Sequence, residues 1–309
     1  MNVWIIKALF YKILSFFPLG IQNKITFLVR RKFGQLKSPI KAYGLLTAEY
    51  LFKIIQEQNI DPKNKIFFEL GTGWIPYTSI QLSLMGAKKV YTQDINCLLT
   101  NEVVFELLKI ILSNVDKGSS PNFDQDKIDK IKKFENIKNF SYEELFKDLN
   151  IIYLSKSKSD VINIENNSVD FYYSRSVLEH ITKNSLIDII YEGKRILKNN
   201  GLFISKIDLS DHFAKKNNKL SQINFLRFSN FLWEILCKNS SNFTNRLRIS
   251  DYKREFQSSG LFLVSEDSKV NMECLSDLEK GRFKVHKDFF DYNFEDLATT
   301  SSFIIYKKK

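Results

Sequence analysis

The sequence predicts an α/β fold built on a doubly wound, mostly parallel sheet. Three observations carry that prediction. Lys65 to Asn96 reads as a buried strand, a glycine turn, a helix and a second strand ending in an acid. Val169 to Tyr173 and Leu202 to Ile207 are further short apolar runs with a helical stretch between them. Two more apolar runs, Phe256 to Val264 and Ser301 to Tyr306, close the chain.

Residues 1–37 hold two helical stretches and form an N-terminal segment ahead of one domain over 38–309. A helix over 45–58 leads to strand one at 66–70. Phe67 and Phe68 sit among apolar residues, as in a parallel strand covered on both faces. Gly71 and Gly73 leave no Cβ where the chain turns, so a ligand can approach the backbone. Pro76 suits the first turn of the next helix, which stops at Gly86. Strand two covers 89–93 and puts Asp94 at its carboxyl tip, where doubly wound sheets hold a ribose diol. An insertion at about 100–149 begins with an apolar-periodic helix through Leu112. A polar loop follows near Gly118 to Asp124, then a charged helical region through Asp148. Strands three, four and five fall at 151–154, 169–173 and 202–207. A second insertion, 213–256, has an aromatic face (Phe225, Phe228, Phe231, Leu232 and Trp233) and a basic one (Arg227, Arg246 and Arg248). Inserted after strand five, it belongs over the carboxyl ends of the strands and is the expected substrate cover. Its arginines suit phosphate or carboxylate; helical packing is the alternative for each of these residues.

Two nucleoside-cofactor readings compete at the glycine turn. A dinucleotide fingerprint, the mark of an oxidoreductase, wants a third glycine where Pro76 stands. The other reading rests on a resemblance. Glu69-Leu-Gly71-Thr-Gly73 resembles the first motif of class I S-adenosylmethionine-dependent methyltransferases, although Ile75 replaces a further glycine common there. Ser168-Val-Asp170-Phe-Tyr-Tyr-Ser174-Arg-Ser-Val-Leu-Glu179-His180 is similar to their fourth strand and the Leu-Glu-His helix after it. Gly193-Lys-Arg-Ile-Leu-Lys-Asn-Asn-Gly201-Leu-Phe-Ile-Ser is similar to their fifth-strand entry, and the two final apolar runs to their closing antiparallel strands. The resemblance covers residues 40 to 309. It implies a Rossmann-like, seven-stranded sheet whose last strand is antiparallel, and S-adenosyl-L-methionine as cofactor. It implies that Gly71 and Gly73 admit the methionine part of the cofactor and that Asp94 binds the ribose. Glu69 is then to meet the amino group, directly or through water, or to order the loop. Asp160 is placed on the adenine amino group and Ser174 at the sulfonium end. A narrower likeness to methyltransferases found among glycan and cell-envelope genes lies in Phe225-Leu-Arg-Phe-Ser, Asn245-Arg-Leu-Arg248 and Asp208-Leu-Ser-Asp211-His212. It names no substrate; the expected acceptor is small or glycan-linked and is methylated at oxygen rather than at nitrogen or carbon.

An oxygen acceptor must lose a proton, and histidine is the side chain best matched to that task near neutral pH. The chain has three histidines, and His180 and His212 follow adjacent strands. His212, beside Asp211, is the candidate general base; His180 is expected to pack and bond near the cleft. Asp208, Asp211 and His212 match no specific metal-ligand spacing, so no metal is expected.

The 309 residues are 44% hydrophobic, enough for a full core. The net charge of +11 is compatible with nucleic acid, an anionic membrane or a phosphorylated substrate. The basic residues form no stripe interleaved with aromatics, so nucleic acid is not the expected partner. Three scattered cysteines, with no Cys-x-x-Cys, fit a reducing cytoplasm and exclude a zinc site of that kind. Val3 to Ile21 is apolar but broken by Lys7 and Lys12, and its apolar runs are too short to span a bilayer. A helix peripheral to a membrane and a helix packed on the protein both account for it. The sequence leaves the oligomeric state open. A non-catalytic binding module retaining the fold is the rival from outside enzymology.

Overall fold

A computed structural model describes residues 3–37, 47–118, 120, 122–155, 164–217, 219–237 and 243–309. The helices are α1 (Val3–Leu14), α2 (Leu19–Phe33), α3 (Thr47–Glu57), α4 (Tyr77–Leu84), α5 (Asn101–Asp116), α6 (Gln125–Lys132) and α7 (Tyr142–Asp148), followed by α8 (Lys183–Ile196), α9 (Asn230–Cys237), α10 (Ile249–Ser258), α11 (Met272–Glu279) and α12 (Phe294–Ala298). The strands are β1 (Ile66–Leu70), β2 (Lys89–Asp94), β3 (Ile151–Ser155), β4 (Val169–Arg175), β5 (Leu197–Asp208), β6 (Phe262–Val270) and β7 (Thr299–Lys307).

The seven strands lie in the order β3-β2-β1-β4-β5-β7-β6. β1 runs parallel to β2 and β2 to β3, while β7 is antiparallel to both β5 and β6. This is the expected sheet. The order reverses between β1 and β4, the position where open α/β sheets bind ligands. The first closing strand starts later than its apolar run. Phe256 lies in the last turn of α10, which ends at Ser258, and Gly260, at φ +81°, turns the chain into β6.

The chain divides into two compact units. One comprises residues 23–173 and 196–201. Its core is aromatic across the strands: Phe67 meets Phe171 at 4.9 Å between ring centroids, and Phe68 stacks on Tyr172 at 4.7 Å. Every residue of α4 is buried, so its hydroxyls and amides bond inward, as in Gln81 Nε2 to the Tyr77 hydroxyl at 2.8 Å. Arg31 donates to Glu102 and Glu106 of α5 and to the Leu36 carbonyl, which fixes α2 on the unit. One cation of the Arg30-Arg31-Lys32 run is thereby spent within the protein.

The other unit comprises residues 1–22, 174–195 and 202–309. Phe256 packs on Phe203 of β5 and stacks on Tyr306 of β7. Ala8 of α1 joins a second cluster with Phe225, Leu226, Trp233, Leu278 and Phe289. Most of the aromatic face expected of the second insertion is therefore core. Phe231, 75% exposed, and Leu232, 40% exposed, are the exceptions.

Candidate functional site

The turn after β1 is built by two backbone conformations that favour glycine. Gly71 has φ +90° and Gly73 φ +64°. The Gly71 and Thr72 amides donate to the Gln93 carbonyl at 2.7 and 3.1 Å, which holds the turn against the end of β2. The Gly73 amide donates to Asp94 Oδ2 at 2.8 Å, and the Asn96 amide to Oδ1 at 3.2 Å. A Cβ placed on Gly73 would meet nothing within 4 Å among the described residues, so its Cα faces open space there. A ligand can come flush against this backbone. Burial pushes the Asp94 carboxyl up from its ordinary value, opposed by the amides of Gly73, Asn96 and Ile95.

Glu69 points inward. It is buried, and its Oε2 accepts from Ser79 Oγ and from Thr92 Oγ1 at 2.8 Å. Thr92 Oγ1 in turn lies 2.7 Å from Thr72 Oγ1. Burial raises the Glu69 carboxyl despite the hydroxyls around it. Of the three roles expected of Glu69, ordering the loop is the one these bonds perform.

The second group of polar side chains belongs to the other unit. The His180 and His212 rings meet edge to face, 5.0 Å between centroids. His180 Nδ1 lies 2.6 Å from the Phe243 carbonyl and must donate to it, which leaves Nε2 with the lone pair. Crowding of the ring, then His212, lowers the His180 pKa to about 4. An edge of the residue remains exposed, so water offsets part of that shift. His212 Nε2 is buried without a hydrogen bond among the described residues, 3.5 Å from Asp208 Oδ2. Burial opposes ionisation of Asp208, but His212, Lys215 and Ser210 prevail and hold it well below the usual carboxylate range. Glu179 is 3% exposed, and neither carboxylate oxygen has a hydrogen bond among the described residues. Burial pushes its pKa up to about 8, opposed by the amides of Glu179 and Asp208, which lie near the carboxylate without forming a well-aligned bond.

Several expected site residues stand elsewhere. Asp211 does not pair with His212: it is buried, accepting from the Phe213 amide at 2.8 Å and Asn224 Nδ2 at 3.3 Å. Its carboxylate shapes the loop after β5. Ser174 lies within β4 rather than after it, fully buried, with Oγ 2.9 Å from Ser205 Oγ, so it cannot face a cofactor. Arg246 and Arg248 are buried and hold backbone. Arg246 Nη1 donates to the Phe225 and Phe228 carbonyls at 2.7 Å each. Arg248 donates to the carbonyls of Asp296, Leu209 and Thr299. These bonds give the two arginines a structural role in place of the expected acceptor contact. Arg227 is exposed, its guanidinium 4.4 Å from the Phe283 ring centroid. Asp160 lies outside the described residues.

Three features escaped the sequence reading. Asp208, not Asp211, is the acid beside His212. Asn245 clamps the Leu178–His180 turn: its Nδ2 donates to the Leu178 and Ile181 carbonyls at 2.9 Å, and its amide to the Glu179 carbonyl at 2.8 Å. No local pattern marks that role, because the partners lie more than 60 residues away. The third is a hollow of about 340 Å³ lined by Arg175, Lys206, Asp208, Ser210 and Gln222, at the carboxyl ends of β4 and β5.

No protein-family model matches the chain, and no curated protein does. Solved structures do. A geranyl diphosphate methyltransferase in complex with S-adenosylmethionine is 12% identical with a TM-score of 0.45, over 85% of this chain and 84% of that one. An S-adenosylmethionine-dependent methyltransferase from Methanosarcina mazei is 11% identical with a TM-score of 0.44, over 82% and 96%. One from Mesorhizobium loti is 10% identical with a TM-score of 0.42, over 85% and 98%. At such values the likeness is too loose to speak for activity.

Proposed function

We propose that the chain is an S-adenosylmethionine-dependent methyltransferase acting on an oxygen of a small or glycan-linked acceptor. The observation that carries this reading is the turn at β1, where the Asp94 carboxylate meets a glycine backbone open to ligand. Asp94 suits the ribose: a carboxylate accepts about four hydrogen bonds, and the amides of Gly73, Asn96 and Ile95 leave part of that capacity open. When bound, the cofactor supplies an electrophilic methyl group on its sulfonium. The protein's own part is to hold the acceptor in line, exclude water and receive the acceptor's proton. Arg175 and Lys206 give the hollow a cationic wall suited to a phosphate or carboxylate on the acceptor. His212 is the candidate to receive the proton, with the Asp208 carboxylate 3.5 Å from its Nε2 to orient the ring.

Calorimetric titration tests the cofactor. S-Adenosylhomocysteine is expected to bind and NAD is not; the reverse would favour the oxidoreductase. Asp94→Ala should weaken S-adenosylhomocysteine binding by about 1–3 kcal/mol, the scale of hydrogen bonds to a charged group. Unchanged affinity in a folded variant would remove Asp94 from the site. Turnover with a glycan extract would tell against the non-catalytic module.

We further propose that the protein contacts the surface of an anionic membrane through its N-terminal helix. α1 leaves Ile6, Leu9, Phe10 and Ile13 exposed, with Phe16 and Phe17 just beyond it. α1 contacts α9, which exposes Phe231, Leu232 and Ile235. Apolar exposure on two touching helices is the pattern of an interfacial helix. No described helix is long and apolar enough to cross a membrane. The full chain should cosediment with phosphatidylserine vesicles, less so as salt screens its net charge of +11. Phe10→Asp with Phe231→Asp should abolish cosedimentation; equal sedimentation would leave the helices as packing or dimer contacts.

A further inference from the structure

The geometry points to a binding site for a divalent transition-metal cation, with Glu179, His180 and His212 as ligands. One ligand atom from each lies within 4.8 Å of the others. Glu179 is the strongest sign. A carboxylate 3% exposed, with neither oxygen hydrogen-bonded among the described residues, is costly to leave unsatisfied. A cation between it and the two imidazoles would satisfy it. His212 Nε2 is likewise buried without a hydrogen bond among the described residues.

The surroundings are arranged as a ligand shell requires. His180 donates its Nδ1 proton to the Phe243 carbonyl, so its Nε2 presents a lone pair, the usual support of a metal-binding histidine. Asn245 fixes the turn that carries Glu179 and His180, so two of the ligands come from one rigid segment. Asp208 adds a negative charge 3.5 Å from His212 and is paired with Lys215. With Glu179 ionised, these three groups sum to one net negative charge before the ion arrives. The exposed edge of His180 provides a way in. Tetrahedral ligands at ~2.1 Å from an ion stand ~3.4 Å apart, so the three side chains must draw together on binding.

Two imidazoles and one carboxylate select the kind of ion. Imidazole suits Zn²⁺, Co²⁺ or Fe²⁺, whereas Mg²⁺ and Ca²⁺ prefer an all-oxygen shell. Three protein ligands leave at least one position open, as catalytic rather than structural sites do. Ion binding by this cluster does not depend on the methyltransferase reading and is measured without cofactor; a bound ion would take the imidazole that otherwise receives the proton, so His212 acts as base only in the ion-free protein.

The test uses the full chain, stripped with chelator and then titrated with Co²⁺ and Zn²⁺. About one Co²⁺ per chain should bind, with visible bands stronger than those of the hexaaqua ion and no sulfur charge-transfer band. Glu179→Gln and His212→Ala should each weaken Zn²⁺ binding by on the order of 100-fold, since even supporting residues outside the ligand set cost 10–100-fold. His286→Ala, which removes the remaining histidine, should leave binding unchanged. A wild-type spectrum identical to the hexaaqua ion would overturn the site, and so would a sulfur band traced to the exposed Cys97. Equal Zn²⁺ affinity in folded Glu179→Gln protein would do the same. If that variant does not fold, the wild-type spectrum decides alone.

Discussion

Arg248→Met is expected to lower stability by about 3–5 kcal/mol, the range found when one partner of a buried charged network is removed. Arg248 is fully buried, and its guanidinium donates to the Leu209 carbonyl at 3.1 Å, the Asp296 carbonyl at 3.3 Å and the Thr299 carbonyl. These carbonyls belong to the middle of α12, the start of β7 and the residue after β5. One side chain thus joins three separate segments. Burial lowers the arginine pKa, a sign that keeping the charge inside is itself costly, and relief of that cost offsets part of the loss. What remains is three carbonyls that each lose a donor, of which Asp296 keeps the Thr299 amide; a carbonyl left unpaired costs about 1–3 kcal/mol. Urea unfolding checks this: the midpoint should fall while the slope stays constant. Arg227→Met, at an exposed position of the same insertion, should change stability by less than about 0.5 kcal/mol. A loss below about 1 kcal/mol at Arg248 would show that the loops close without it.

His212→Ala is expected to lower methyl transfer by about 10²–10⁴-fold, the contribution of a positioned base. The assay uses chelator-treated enzyme, so that the loss reports on proton removal and not on an ion. Cofactor affinity should stay unchanged, because Asp94 and the glycine turn lie elsewhere in the chain. Added imidazole should restore part of the rate if the missing group is a base. Full turnover in the variant with its true acceptor would remove His212 from catalysis. His180 is the poorer base, since its pKa is lowered to about 4 and its Nδ1 is engaged by the Phe243 carbonyl.

The strands were legible because a parallel strand buried on both faces must be written as an apolar run, and Phe67, Phe68 and Phe171 obey that rule. The glycine turn was legible because φ values of +90° and +64° exclude most other residues. Asp94 was legible because a strand's end fixes where its last side chain stands. Orientation was not. Nothing local distinguishes an arginine on a surface from one that caps carbonyls 39 to 51 residues away, as Arg248 does. Ser174 was misplaced because β4 runs two residues beyond its apolar run, which moved the serine from the loop into the sheet. Asp211 was preferred to Asp208 for adjacency to His212. An Asp within two residues of a turn instead bonds its own backbone, as Asp211 does to the Phe213 amide.

The bond between Asp94 and the Gly73 amide has a kinetic consequence. The turn is closed by the protein's own carboxylate, so its ordering entropy is met during folding and not during association. A ligand arriving there meets a preformed surface and loses no time to loop rearrangement. Its arrival rate should therefore be set by encounter, and differences in affinity among related ligands should reside in how long each stays.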